Sequence, residues 1–201
     1  MAGRLERAGA VRLLGTVVRL QVQRSRLKPG PRGARRYDPS PLLEVDALEL
    51  GPRGAWGLTS QGRVLDVHHA EHPDSRNRRL ANGLSLLPRA HYCQLRTRYG
   101  GHLVDGIAGE NVLLDTDGPM TADDLDATLL LEVDGGTVEV TGAAAAPPCV
   151  EFSRFALGRD DLEVDDEVRA ALDHLDHGER GFYLSVCSPG VLRPGAALLR
   201  P

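Results

Sequence analysis

Three cysteines occur in the chain, Cys93, Cys149 and Cys187, and one of them has a setting that suggests chemistry. Cys149 closes the stretch GAAAAPPC, immediately after Pro147-Pro148. Each proline fixes its own φ at about −65° and biases the residue before it toward extended backbone. The pair therefore predicts a stiff, non-helical corner after a strand, with the thiol held in place. A thiol held that way can ligate a thiophilic metal or carry sulfur. Cys93 falls inside a predicted helix and reads as a packed core thiol. Cys187 ends a predicted strand before a Ser-Pro-Gly turn. No Cys-x-x-Cys pair exists, which argues against a zinc knuckle.

Four further stretches carry groups with chemical potential. In VLDVHHAEH (Val64 to His72), a strand would put Asp66 and His68 on one face, forming a polar wall. His68 could also pair with His72 or Asp66 around a metal, or the histidines could simply be hydrogen-bonded. In DGIAGENVLLD, Gly106 and Gly109 bracket a tight turn before Glu110 and Asn111. Glycine lets backbone N–H groups approach an anion, and Glu-Asn can equally bridge side chain to backbone. In HGERGFYLSV, Arg180 stands where a helix ends and a strand begins. A guanidinium there can grip phosphate or carboxylate through its fork, or form a surface ion pair. HPDSRNRRLANG is a basic loop, either an anion clamp or a solvated charge run.

The elements that must hold these groups are mostly short strands separated by Gly and Pro, a β-rich α+β pattern. Leu13–Val22, Leu42–Leu50 and Gly62–His69 read as strands, and Gly30–Pro41 as a loop. The clearest hairpin is TLLLEVDGGTVEVTG, turning at Asp134-Gly135-Gly136. The C-terminal GFYLSVCSPGVLRPGAALL repeats that scheme. A helix is expected within Asp161–Gly178, with Val164, Val168, Leu172 and Leu175 on its inner face. A second is expected over Pro88–Tyr99, with proline at its first turn. The chain reads as a lead-in over 1–12 and one domain over 13–200.

Composition narrows the function. The chain has 201 residues and a net charge of −4, enough for a real core and unlike a generic nucleic-acid binder. No apolar run approaches the roughly 20 residues that span a bilayer. No secretory signal is legible at the N-terminus, so a cytoplasmic protein without membrane attachment is expected. Lys28 is the only lysine, and it lies in the Pro/Gly/Arg stretch RLKPGPRGARR. That is a poor setting for a pyridoxal phosphate Schiff base, and Lys28 is expected to take no part in the chemistry. Nothing reads GxxxxGK[ST], which argues against a P-loop.

The order of the motifs resembles the MOSC domain, the C-terminal domain of molybdenum-cofactor sulfurases, also found in stand-alone proteins and amidoxime-reducing enzymes. The similarity runs from about Leu14 to Leu199. The family's Gly-Asp-x-His resembles Leu65-Asp66-Val67-His68, with the glycine replaced. Its Gly-Glu-Asn maps onto Gly109-Glu110-Asn111. Its Arg-Arg-Gly-Phe-Tyr maps onto Glu179 to Tyr183, with the first arginine lost, and its Pro-Cys maps onto Pro148-Cys149. The resemblance implies a β-barrel with a few peripheral helices. It further implies a molybdenum-pterin cofactor with Cys149 as metal ligand and catalytic residue. Asp66, His68, Gly109, Glu110, Asn111 and Arg180 would then shape the cofactor pocket. The implied activity is an oxidoreductase acting on N-hydroxylated compounds, fed by a separate electron-donor protein. The alternative is a non-enzymatic carrier of persulfide sulfur or of the cofactor, delivering to an apo-molybdoenzyme.

Overall fold

The longest strand, β1 (Arg12–Gln23), reaches both edges of the main sheet and so closes it. A computed structural model describes residues 11–77 and 79–201. The first ten residues of the expected lead-in lie outside the described residues. β1 pairs on one side with β12 (Ala197–Arg200) and on the other with β7 (Val112–Asp115). Between them the ring runs through β8 (Leu129–Val133), β9 (Gly136–Ala145), β10 (Phe182–Val186) and β6 (Leu84–Pro88). The result is a closed seven-stranded mixed barrel. Only β6 and β7 are parallel, and α1 (Arg89–Tyr99) lies in the crossover that a parallel pair requires.

Alternation along the strands fills the barrel. Leu84 and Leu86, Val138 and Val140, and Phe182, Leu184 and Val186 all point into one core cluster with Val17, Leu20 and Leu114. A second cluster lies outside the barrel wall, where Leu87 and Leu113 meet Tyr92, Leu95, Phe152 and Leu175. Those last residues come from α1, α2 (Val150–Ala156) and α3 (Asp166–Leu175). Burial on both faces explains why every residue of β6 is buried. A smaller antiparallel sheet of β3 (Ala47–Gly51), β4 (Gly54–Thr59), β5 (Gly62–Leu65) and β11 (Gly190–Leu192) packs beside the barrel.

Several sequence expectations need correction. The strand expected over Leu42–Leu50 divides into β2 (Leu42–Glu44) and β3, because Val45 N–H donates to Leu20 and Asp46 N–H to Leu58. The strand expected over Gly62–His69 stops at Leu65, where Asp66 turns the chain. The first helix starts at Arg89, with Pro88 as its extended N-cap. Cys93 on that helix is exposed, not packed. The later helix buries Val168, Ala171 and Leu175, while Val164 precedes it and is exposed. Asp165 is its N-cap, with its carboxylate accepting from Val168 N–H at 3.0 Å.

Candidate functional site

The corner at Cys149 forms as its prolines dictate. β9 ends at Ala145, and Cys149 is extended (φ −139°, ψ 147°) as the N-cap of α2. Its carbonyl accepts from Ser153 N–H at 2.9 Å and from the Ser153 hydroxyl at 3.0 Å. The side chain stays half-buried on the wall of a cavity of about 490 Å³.

Arg180 lines the same cavity. Gly178 and Gly181 on either side both have positive φ, which bends the chain sharply between α3 and β10. The guanidinium lies over the Phe152 ring at 4.8 Å and donates to the Ala108 carbonyl at 3.3 Å. Burial opposes its charge, but Cys149 and Tyr37 outweigh that and hold Arg180 above the ordinary arginine value. Its Nε is buried and has no partner among the described residues. A Cβ at Gly181 would sit 2.5 Å from the Leu86 carbonyl, at φ +97°. Gly181→Ala is therefore expected to lose about 1–3 kcal/mol of stability and to displace Arg180. Urea denaturation measures the loss, and the Arg180 Nε–H signal in NMR spectra reports the displacement.

The Asp66-Val67-His68 motif also reaches the cavity, through Val67 and His68. Asp66 is fully buried and accepts four hydrogen bonds: from Gln23 N–H at 2.8 Å, His68 N–H at 2.8 Å, Asn111 Nδ2 at 2.9 Å and His68 Nδ1 at 3.1 Å. Burial raises its pKa, but the bonds and the His68 charge outweigh it, so the carboxyl lies below its usual value. The expected pairing of Asp66 with His68 thus occurs, through a side-chain turn and not across a strand face. The His68 ring lies 5.7 Å from that of Tyr183, and both line the cavity. His72 turns away, its ring contacting Asp74 N–H and the Arg24 carbonyl. No group of three or more metal-ligating side chains gathers among the described residues.

The Gly-Glu-Asn motif lies behind the wall, and none of its three residues lines the cavity. Gly109 has φ +88°, and its carbonyl accepts from Gln23 Nε2 at 2.6 Å. Asn111 is buried; its Oδ1 accepts from Ser85 N–H and Oγ while its Nδ2 donates to Asp66. It thereby clips β6 to β1 and holds Asp66. Glu110 is buried against the Tyr92 hydroxyl at 2.9 Å. Desolvation pushes its pKa from 4.5 to about 7, against the lowering effect of Tyr92 and Arg19. A carboxyl raised in the fold stabilises most below its unfolded value and loses that contribution as pH rises through its folded value. Stability should therefore fall by about 3 kcal/mol between roughly pH 4.5 and pH 7 on this account. Glu110→Gln keeps an acceptor for Tyr92 and should lack this slope. Urea denaturation of both proteins at pH 5 and pH 8 checks it.

Residues without an expected role complete the cavity. Tyr37 lines it and donates to the Ile107 carbonyl at 2.6 Å. Lys28, expected to be a bystander, lies on the wall with Arg26, Arg35 and Arg76. The basic loop after His72 contributes Asp74, Arg76, Asn77 and Asn82; Arg78 lies outside the described residues. The density of arginine in both loops is the available signal, and it is ambiguous because solvated loops have the same composition.

The sequence profile of the MOSC domain matches residues 67–198, about two thirds of the chain. The chain belongs to the MOSC domain family. A search of curated proteins gives no match. Among solved structures, the barrel is similar to the YuaD protein of Bacillus subtilis, with 13% identity, a TM-score of 0.54, and 93% of this chain and 95% of that one covered. It is also similar to YiiM of Escherichia coli, at 17% identity and TM-score 0.50, covering 79% of this MOSC chain. The chain spans 65% of that YiiM protein's length. A structure described as a hypothetical protein aligns over 93% of this chain and 68% of its own, at 16% identity and TM-score 0.53. These likenesses establish a shared fold. Among the described residues, no helix is long and apolar enough to cross a membrane.

Proposed function

We propose that this MOSC protein binds a molybdenum-pterin cofactor through Cys149 and acts as an oxidoreductase on N-hydroxylated compounds. The observation that carries this reading is the convergence of Cys149 and Arg180 on one cavity. The chemistry of the donors fits such a group. A thiolate is a soft ligand suited to a thiophilic metal, and the Arg180 guanidinium on the cavity wall suits a phosphate oxygen. The volume of about 490 Å³ falls within the roughly 300–1,000 Å³ of ordinary ligand sites.

The bound cofactor would supply two-electron redox chemistry at its metal. The protein's own part is position and proton control. Pro147-Pro148 and the α2 N-cap fix Cys149, and the Phe152 ring and the Ala108 carbonyl hold Arg180. Asp66 orients His68, so its imidazole can hold or release a proton at the cavity wall. Three scattered cysteines cannot form a ferredoxin-type cluster, so electrons would come from a separate donor protein. We place this work in the cytoplasm.

The test is purification from a host that makes the cofactor, followed by molybdenum, pterin and sulfur analysis. Stoichiometric molybdenum with turnover of an N-hydroxylated substrate supports the oxidoreductase. Cyanide-releasable sulfur without metal supports the persulfide carrier serving an apo-molybdoenzyme. Neither metal nor releasable sulfur would refute both.

A further inference from the structure

Two long loops meet across the cavity. The first follows β1 and carries Arg26, Lys28 and Arg35; the second follows β5 and carries Asp74, Arg76 and Asn77. They are tied by the Arg26–Asp74 ion pair at 3.1 Å and by the His72 ring against the Arg24 carbonyl at 3.2 Å. Asp74 is thus already committed to Arg26. Among the described residues, Lys28, Arg35 and Arg76 have no carboxylate partner. Asp74 is the one carboxylate on the cavity wall among the described residues, and Asp66 is fully buried behind that wall and committed to four hydrogen bonds. Arg180 is engaged separately, beside Cys149 and Ala108.

Three uncompensated cations on the wall of one cavity repel one another, in a chain whose net charge is −4. Asn77 lines the same wall. Asn77 is only 5% exposed, and its Oδ1 accepts from Asn82 N–H at 3.1 Å, which fixes the amide orientation. Its Nδ2 then has no acceptor among the described residues. One phosphate, at about two negative charges, would balance at most two of the four cations that Arg180 makes with this cluster and would leave two unanswered. A cavity of about 490 Å³ also has room for far more than one phosphate.

We propose that Lys28, Arg35, Arg76 and Asn77 form a second anion subsite, so that the cavity takes a ligand with two phosphoryl groups, as in a diphosphate. This rests on the reading of the cavity as a phosphate-ligand site, and it is independent of what Cys149 carries. Lys28 supplies a mobile ammonium, while Arg35 and Arg76 supply fork-shaped donors for neighbouring oxygens.

Calorimetric titration with inorganic orthophosphate and pyrophosphate tests it. Wild type should prefer pyrophosphate by at least about tenfold, the effect of one charge-assisted hydrogen bond. Lys28→Ala combined with Arg76→Ala should abolish that preference and leave a single orthophosphate site, the one Arg180 holds. Arg180→Ala should instead weaken orthophosphate. Arg12→Ala, an exposed charge off the cavity wall, controls for general electrostatics and should change neither. Melting temperatures confirm that the variants fold. A pyrophosphate preference that survives the double substitution, or none in wild type, overturns the second subsite. Indifference of orthophosphate binding to Arg180→Ala overturns the underlying phosphate reading instead, so the two failures are distinct.

Discussion

Cys149→Ser is expected to purify folded but without molybdenum and without cyanide-releasable sulfur. A serine hydroxyl is hard and stays protonated, so it replaces a thiolate neither as a soft metal ligand nor as a persulfide carrier. The fold should tolerate the change. The cap interactions at this corner use the Cys149 carbonyl, which serine retains, and the side chain is only half-buried. A stability change of about 1 kcal/mol or less follows. Cys93→Ser and Cys187→Ser are the matched controls. Both thiols are exposed, so each substitution should fall within about 0.5 kcal/mol of wild type and leave metal and sulfur content unchanged. The three variants are purified in parallel, with metal, releasable sulfur and melting temperature measured on each. Wild-type values of both metal and sulfur in Cys149→Ser would remove the basis of the proposed function.

Parts of this molecule are legible locally. The hairpin of β8 and β9 turns at Asp134-Gly135, where Gly135 has φ +81°, because alternation and turn chemistry agree there. The Cys149 corner is equally local, set by two prolines. Barrel closure is not, since β1 meets β12 across almost the whole chain and β6 meets β7 in parallel. Local periodicity carries no signal for such pairings. The short α2 is hidden for a related reason: four alanines and two prolines mask a seven-residue helix that Tyr37 and Arg180 stabilise through Phe152. The site divides in the same way. Cys149, His68 and Arg180 do converge, whereas Glu110 and Asn111 turn inward, and one-dimensional spacing cannot separate a residue lining a wall from one bracing it. Lys28 shows the converse. Its loop looks solvated in sequence and becomes cavity wall only when Leu27 anchors in the outer core beside Tyr37.

The bracing layer gives the largest expected effect on stability. Asp66→Asn changes one atom type at a fully buried site where every bond is accepted, none donated. An amide can accept on one side only, so its NH₂ must face either the Gln23 and Asn111 donors or those of His68. Facing His68, the NH₂ can donate to Nδ1 in its other tautomer, so one buried donor, the His68 N–H, is left unsatisfied at roughly 1–3 kcal/mol, and the two bonds kept from Gln23 and Asn111 lose their charge assistance at about 1 kcal/mol each, for a total of about 4 kcal/mol. The pH dependence separates this from simple loosening. The native carboxyl lies below its ordinary value of 3.8, so its stabilisation is complete above that value and is lost as pH falls through the folded one. The amide of the variant does not titrate, so the gap between wild type and Asp66→Asn should be widest near neutral pH and narrow on acidification. Urea denaturation of both proteins from pH 7 down to pH 3 measures it. A gap that stays constant across that range would mean that the Asp66 charge is not what braces His68, and that the wall is held by packing alone.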